Sequence, residues 1–167
     1  MIAQRLYRDP AETPTVTRLP HTHPMTSWAT VLLEVPDLAA RVRAIFDAGT
    51  NKTLATLRAD GSPRISGTEL QFEGDEITLG MMPGSAKLRD VRRDPRVAIH
   101  SPTLEPPAEQ AAWIGDAKLA GRLVETTAGA FVLDLSEVVL THLNADATML
   151  VIESWHPGRG LSVVERL

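Results

Sequence analysis

A basic segment follows a glycine-containing strand exit in the stretch GMMPGSAKLRDVRRDPR, residues 80–96. Ser85 is a good N-cap and predicts a helix over about residues 86–94. The first turn of a helix has free N–H groups and a positive dipole end, and Gly84 would let a ligand come close to the backbone. Lys87 adds a cation at the same end. Ser85 and Lys87 therefore predict a site for a phosphate or another anion.

The same segment holds five of the seventeen basic residues of the chain. Leu88 and Val91 predict the inward face of the helix, so the cations must point elsewhere. For the later arginines we favour a solvated surface with ion pairs to Asp90 and Asp94 over a binding role. These arginines are Arg92, Arg93 and Arg96.

A second candidate is the strand-like stretch RISGTEL, residues 64–70. Strand alternation predicts one face with a guanidinium and two hydroxyls, and an opposite face with a glycine between two larger side chains. A glycine inside a strand marks a bulge or the close approach of a ligand. The alternative is an exposed polar face with an ordinary bulge. The first face is Arg64, Ser66 and Thr68, and the second is Ile65, Gly67 and Glu69.

Other catalytic arrangements find little support in the sequence. There is no cysteine, which excludes thiolate chemistry and disulfides. No serine stands in a nucleophile-elbow motif. His21 and His23 lack a nearby third ligand, so we expect no metal site. His100, His142 and His156 are scattered, and we expect structural roles for them. Chemistry would therefore come from a bound cofactor, and we assign no catalytic acid or base.

The bulk properties restrict the partners and the compartment. The chain has 167 residues and a formal net charge of -4, which argues against binding to nucleic acid or an anionic membrane. No apolar run is long enough for a membrane span or a secretory signal, so a cytoplasmic protein is expected. Residues 1–27 contain four prolines and predict an irregular tail, and residues 28–167 predict one domain.

One helix and many short strands must position these residues. An apolar stripe and Pro36 predict a helix in VPDLAARVRAIFDAG, residues 35–49. Residues 127–136 are ambiguous between helix and strand. No helix recurs between strands, and the short turns predict a mainly β (α+β) fold, a closed or nearly closed antiparallel barrel with a few helices. The predicted strands cover 52–58, 64–72, 76–82, 96–101, 116–126, 137–143, 148–154 and 161–167.

The order of these parts resembles the pyridoxamine 5'-phosphate oxidase-like superfamily of FMN-binding split β-barrel flavoproteins, with its flavin/deazaflavin oxidoreductase branches. The stretch TLATLRADGSPRIS, the S-x-K turn and RRDPRV carry the resemblance, which covers about residues 35–156. It implies a homodimer with cofactor sites at the interface and a small-molecule substrate. It also implies a set of cofactor-binding residues, which are Arg64, Ile65, Ser66, Gly67, Thr68, Glu69, Gly80, Met81, Ser85 and Lys87.

Three departures from the family pattern make true pyridoxamine phosphate oxidation an unexpected activity. Ala86 and Met81 replace an arginine and a threonine, and Glu69 replaces a lysine. The resemblance then implies an oxidoreductase that depends on FMN or on the deazaflavin coenzyme F420, with an unknown substrate. The alternative is a split barrel that binds a flavin, a haem or another tetrapyrrole without turnover.

Overall fold

The computed structural model describes residues 25–105 and 107–167. Two helices precede the sheet and a third interrupts it. In chain order, the elements are α1 (Trp28–Glu34), α2 (Pro36–Asp47), β1 (Lys52–Leu57), β2 (Pro63–Thr68), β3 (Gln71–Glu73), β4 (Glu76–Gly80), α3 (Ala86–Arg93), β5 (Arg96–His100), a 3₁₀ turn (Gln110–Ala112), β6 (Asp116–Thr127), β7 (Ala130–Leu143), β8 (Leu150–His156) and β9 (Gly160–Arg166).

The predicted helix after residue 35 is confirmed as α2, which begins with Pro36 at its first turn. Its apolar stripe of Leu38, Val42, Ile45 and Phe46 is buried against the sheet. The sequence did not predict α1, a short helix of seven residues. Burial of its Trp28 and Val31 in the core stabilises this short helix, since isolated helices of that length are unstable.

All strand pairs are antiparallel, and the hydrogen-bonded path runs β2-β1-β5-β6-β7-β4-β3, with β8 on β7 and β9 on β8. The two ends of the path, β2 and β3, are joined by Glu69 and Leu70 alone. Such a short link must bring the two ends together, so the sheet curls without closing its hydrogen-bond ring. This confirms the predicted antiparallel split barrel.

Two predicted boundaries were wrong. The expected strand over 64–72 is broken at Glu69 and Leu70, because β2 and β3 belong to opposite ends of the sheet. Residues 130–136 of the ambiguous segment 127–136 and the predicted strand 137–143 form one strand, β7, whose buried positions alternate on each side of Ser136. At Ser136, β7 has one extra residue, because Ala120 pairs with Glu137 and Gly121 with Leu135, so a bulge lies in β7 at this position.

The segment before α1 is attached to β7. The N–H of Thr26 donates to Asp134 Oδ1 at 2.8 Å, and its carbonyl accepts from the Leu135 N–H at 2.9 Å. The sequence places Thr26 in the irregular tail, whereas these two bonds attach it to the domain. Residues 1–24 of that tail, with His21 and His23, lie outside the described residues.

Within residues 25–105 and 107–167, no helix is long and apolar enough to cross a membrane.

Candidate functional site

A cleft of about 680 Å³ lies where the ends of β2, β3, β4 and β7 meet the start of α3. This volume is within the range of small-molecule and cofactor sites. We call this space the cleft. Five of the ten predicted cofactor-binding residues line it: Gly67, Thr68, Glu69, Gly80 and Lys87.

Lys87 reaches the cleft from the first turn of α3, and its Nζ donates to the carbonyl oxygen of Gly67 at 2.6 Å. Ser85 is the predicted N-cap, and its Oγ accepts from the Leu88 N–H at 3.3 Å. Leu88 and Val91 are buried, as the sequence predicts, and they anchor the helix to the barrel. The free N–H groups and positive dipole end of α3 therefore lie beside the only lysine among the cleft-lining residues.

Nothing in the described part of the chain requires glycine at two positions of the cleft wall, 67 and 80. Neither Gly67 nor Gly80 has a positive φ, and a Cβ added to either would meet no heavy atom within 4 Å. Gly121, in contrast, faces the Asp134 carbonyl, which a Cβ would approach to 2.1 Å. Open glycines on a cleft wall allow a flat ligand to approach the backbone closely.

The cleft has an apolar wall and a charged rim. Leu79 and Phe131 are buried and line it from β4 and β7, while the side chain of Met82 is 77% exposed. The charged groups in the lining are the carboxylates of Glu69 and Glu73 and the ammonium of Lys87. The arrangement suits an aromatic ring on the apolar wall. An anionic group would depend on Lys87 and the helix start, because the two carboxylates oppose it.

The side chains of β2 alternate between the two faces of the strand, as predicted. Some of the predicted cofactor-binding residues therefore point away from the cleft. Arg64 turns to α3, where its Nε donates to Asp90 Oδ2 at 2.6 Å. Ser66 is half-buried on the same face, and Ile65 is 75% exposed on the other. The ion-pair partner of Arg64 is therefore Asp90 and not Glu69.

Met81 also lies outside the cleft. It is 6% exposed and belongs to the core, and the neighbouring Met82 lines the cleft instead. The sequence contained a signal for this difference. Every second residue from Ile77 through Leu79 to Met81 is apolar and buried, and this alternation continues past the end of β4. Phe131 and Asn51 carried no comparable signal, because they reach the cleft from distant positions.

The later arginines of the basic segment, at the end of α3 and the start of β5, form ion pairs. Arg93 contacts Asp90 at 3.2 Å, and Arg96 contacts Asp94 at 2.5 Å, as predicted. Hydrogen bonds from Arg96 lower the pKa of Asp94 to about 2. Arg92 also forms an ion pair, but its partner differs from the predicted aspartates. It donates two hydrogen bonds to the carboxylate of Glu125, at 2.6 and 3.1 Å.

The three described histidines lie outside the cleft lining. In each ring, Nδ1 faces a backbone carbonyl oxygen, at 2.8 Å for His100 and His142 and at 3.1 Å for His156. Each Nε2 faces a carboxylate, most closely in His142, which lies 2.9 Å from Glu153. This bonding agrees with the structural roles expected for them.

No family model and no curated protein matches this sequence. Many solved structures are similar to it, and two of them are described here. One is PhzG from Burkholderia lata 383 in complex with tetrahydrophenazine-1-carboxylic acid, with a TM-score of 0.55 and 11% identity over 81% of this chain and 91% of that one. The other is a pyridoxamine 5'-phosphate oxidase-related, FMN binding protein from Nostoc punctiforme, with a TM-score of 0.54 and 12% identity over 82% and 97%.

At this level of identity, the likeness concerns the fold. The chain therefore has the split β-barrel fold of the pyridoxamine 5'-phosphate oxidase-like proteins, as the sequence resemblance implied.

Proposed function

We propose that this chain binds FMN or a phosphorylated deazaflavin in the cleft and serves as an oxidoreductase for a small conjugated molecule. The observation that carries the proposal is the position of Lys87, which lies in the first turn of a capped helix and bonds to an open glycine of the cleft wall. When bound, such a cofactor accepts or donates a hydride at its ring.

The chain's own residues would bind and shield the cofactor. Lys87 and the N–H groups at the start of α3 are the donors for a phosphate. Gly67 and Gly80 leave room for a ring plane, and the apolar wall at Leu79 and Phe131 excludes water from one side of it. The FMN binding named for the Nostoc protein supports this assignment by fold.

One observation favours binding without turnover as a second candidate. The titratable groups in the cleft lining are Glu69, Glu73 and Lys87, and Lys87 is already bonded to a carbonyl. A haem is less well supported than a flavin, because the described histidines are hydrogen-bonded elsewhere. Activity with a flavin or deazaflavin would decide between the two candidates.

We further propose a homodimer that completes the site. The cross-strand register places Ile65, Ala55, Ala98 and Ala120 in one row on the outer face of the sheet. The row is apolar, and three of its four side chains are small, so a second copy of the sheet can pack closely on it. Sedimentation equilibrium should give the mass of two chains for the wild type and a shift to one chain for Ile65→Glu. The matched control is Leu161→Glu on β9, where Leu161 is 44% exposed.

Visible-absorption titration of the full chain with FMN, with the deazaflavin and with haem tests the proposed function directly. The expected result is saturable binding of FMN or the deazaflavin, with one cofactor per chain. The reduced complex should then transfer a hydride to a member of a panel of quinones, nitro compounds and enones. Binding without turnover on the whole panel would favour the second candidate, and no binding of any cofactor would refute both.

A further inference from the structure

One apolar side chain of the cleft differs from the others in its exposure. Among the large apolar side chains that are exposed in residues 25–105 and 107–167, Met82 alone lines the cleft, and it is 77% exposed. The preceding residue, Met81, is 6% exposed and belongs to the core. Met25 and Met149 are half-buried. Met82 therefore has the most accessible thioether of the four described methionines, and this thioether lies at the cleft.

Backbone hydrogen bonds fix the chain on both sides of this side chain. The Met81 N–H donates to the carbonyl oxygen of Gly129 at 2.8 Å, and the Met82 carbonyl oxygen accepts from the Ser85 N–H at 3.2 Å. Gly84 has a φ of 74°, which the third position of a type II turn requires. The side chain of Met82 is thus exposed on a hydrogen-bonded turn that leads directly into α3.

Oxidation would change this side chain from an apolar group to a polar one. Hydrogen peroxide transfers one oxygen atom to a thioether: the sulfur loses two electrons, the O–O bond breaks, an S–O bond forms and the other oxygen leaves as water. The sulfoxide oxygen accepts hydrogen bonds, whereas the thioether sulfur is only a weak acceptor. Because exposure controls which methionines react, Met82 should react before Met81.

A sulfoxide at position 82 would oppose an aromatic ligand in two ways. It would place a polar group beside the apolar wall of Leu79 and Phe131, where a polar group without a partner is unfavourable. Its oxygen would also compete for the donors of the cleft, which are the ammonium of Lys87 and the free N–H groups at the start of α3. A ligand phosphate would need the same donors.

We propose that Met82 is a reversible oxidation site that controls the cleft, because its thioether permits an aromatic ligand to bind and its sulfoxide weakens that binding. The oxidant is hydrogen peroxide. Methionine sulfoxide reductases restore the thioether with two electrons from a dithiol, and the sulfoxide oxygen leaves as water. The inference rests on the proposed function, since it places a flavin-type ligand in the cleft, and it adds a redox control of that same site.

Peptide mass spectrometry of the full chain after mild treatment with hydrogen peroxide tests the modification itself. Met82 should become the sulfoxide, and Met81 should react at least about tenfold more slowly, because it is buried. Equal rates at these two positions, or faster oxidation of the half-buried Met149, would overturn the proposal. This measurement needs no ligand, so its result does not depend on the proposed function.

Fluorescence titration with FMN before and after peroxide tests the effect on the cleft. Oxidised wild type should bind FMN at least about tenfold more weakly than untreated wild type, and methionine sulfoxide reductases with dithiothreitol should restore the affinity. Met82→Leu should bind FMN equally before and after peroxide, because leucine has no sulfur to oxidise. Met82→Gln has a polar acceptor at this position and should bind more weakly than Met82→Leu without peroxide. The matched control is Met149→Leu, which should respond to peroxide like the wild type.

The possible outcomes separate this inference from the proposed function. Saturable FMN binding that oxidation of Met82 leaves unchanged would overturn the inference and leave the proposed function standing. A loss of affinity in peroxide-treated Met82→Leu would assign the effect to another residue and would also overturn the inference.

If the untreated chain binds no FMN, the proposed function fails, and 8-anilinonaphthalene-1-sulfonate replaces FMN as an aromatic, anionic probe of the cleft. Binding of this probe that peroxide weakens in wild type and leaves unchanged in Met82→Leu would support the redox control of the cleft. Any other result with the probe, including no binding, would overturn it.

Discussion

The Nζ of Lys87 lies 2.6 Å from the carbonyl oxygen of Gly67, and this bond joins the first turn of α3 to the end of β2. The two residues are twenty positions apart and line the same cleft. Lysine has three donor hydrogens, so one bond to a carbonyl leaves two donors for a ligand. The bond therefore directs the ammonium group toward the cleft without consuming it.

Replacing Lys87 by methionine should weaken FMN binding by at least about tenfold, because a charge-assisted bond to the phosphate is lost. Riboflavin lacks the phosphate, so its affinity should stay within about twofold of wild type. Fluorescence titration with both ligands measures the difference. Lys118→Met, on the outer face of β6, is the matched control and should bind FMN normally. Equal losses for FMN and riboflavin would show that Lys87 does not act on the phosphate.

Replacing Gly67 by valine should block the cleft and leave the fold intact. Nothing lies within 4 Å of the added Cβ, and valine favours strands, so the free energy of unfolding should stay the same or rise by up to about 1 kcal/mol. FMN affinity should fall by at least about tenfold. Urea unfolding and FMN titration of the same variant give both values, and Ser162→Val on β9 is the control.

Replacing Gly121 by alanine, unlike the change at Gly67, should lower the free energy of unfolding. Its Cβ would lie 2.1 Å from the carbonyl oxygen of Asp134 in the paired strand, so the strands must move apart. We expect a loss of about 2 kcal/mol or more in the free energy of unfolding. A Gly121→Ala variant as stable as wild type would contradict the close approach of β6 and β7 at the bulge.

Replacing Glu76 by glutamine should stabilise the fold at neutral pH. Burial raises the pKa of Glu76, and the nearby Asp75 and Asp134 raise it further. No described residue donates to its buried Oε2. The folded state thus binds the proton more tightly than the unfolded state, and the stability from this carboxyl is present below the ordinary value of 4.5 and lost as pH rises through the folded pKa.

The Glu76→Gln variant should accordingly gain about 1 kcal/mol over wild type at pH 7, and this gain should vanish in acid. Chemical unfolding across the pH range measures it, with Glu165→Gln on the exposed β9 as control. A gain that is the same at every pH would mean that ionisation of Glu76 is not its cause.

Replacing Glu34 by alanine should destabilise the attachment of α1 to the sheet. Trp155 is fully buried, and its Nε1 donates to Glu34 Oε2 at 2.9 Å. Without this acceptor the buried indole N–H has lost its hydrogen bond, which should lower the free energy of unfolding by about 1 kcal/mol. Glu34→Gln keeps a carbonyl acceptor and should lose less. Thermal unfolding followed by tryptophan fluorescence compares the two variants, and equal losses would show that this bond does not stabilise the fold.

Local patterns determined several features by themselves. The stripe of α2, the cap at Ser85 and the alternation of β2 depend on residues within a few positions of one another, and the structure has each of them. The antiparallel, nearly closed barrel also followed, because short turns between strands restrict the possible pairings, whereas its split form was what the family resemblance implied.

The composition of the cleft was decided by tertiary structure. Arg64 belongs to the predicted cofactor strand, yet Asp90, 26 positions later, draws its guanidinium to α3. Phe131 reaches the cleft because β7 pairs with β4. The link at Glu69 and Leu70 breaks a continuous strand pattern, because the curled sheet must join its two ends there. A linear pattern specifies which side of its own strand a residue faces. The element that lies on that side is set by long-range packing, and it determines whether the residue meets a ligand or an ion-pair partner.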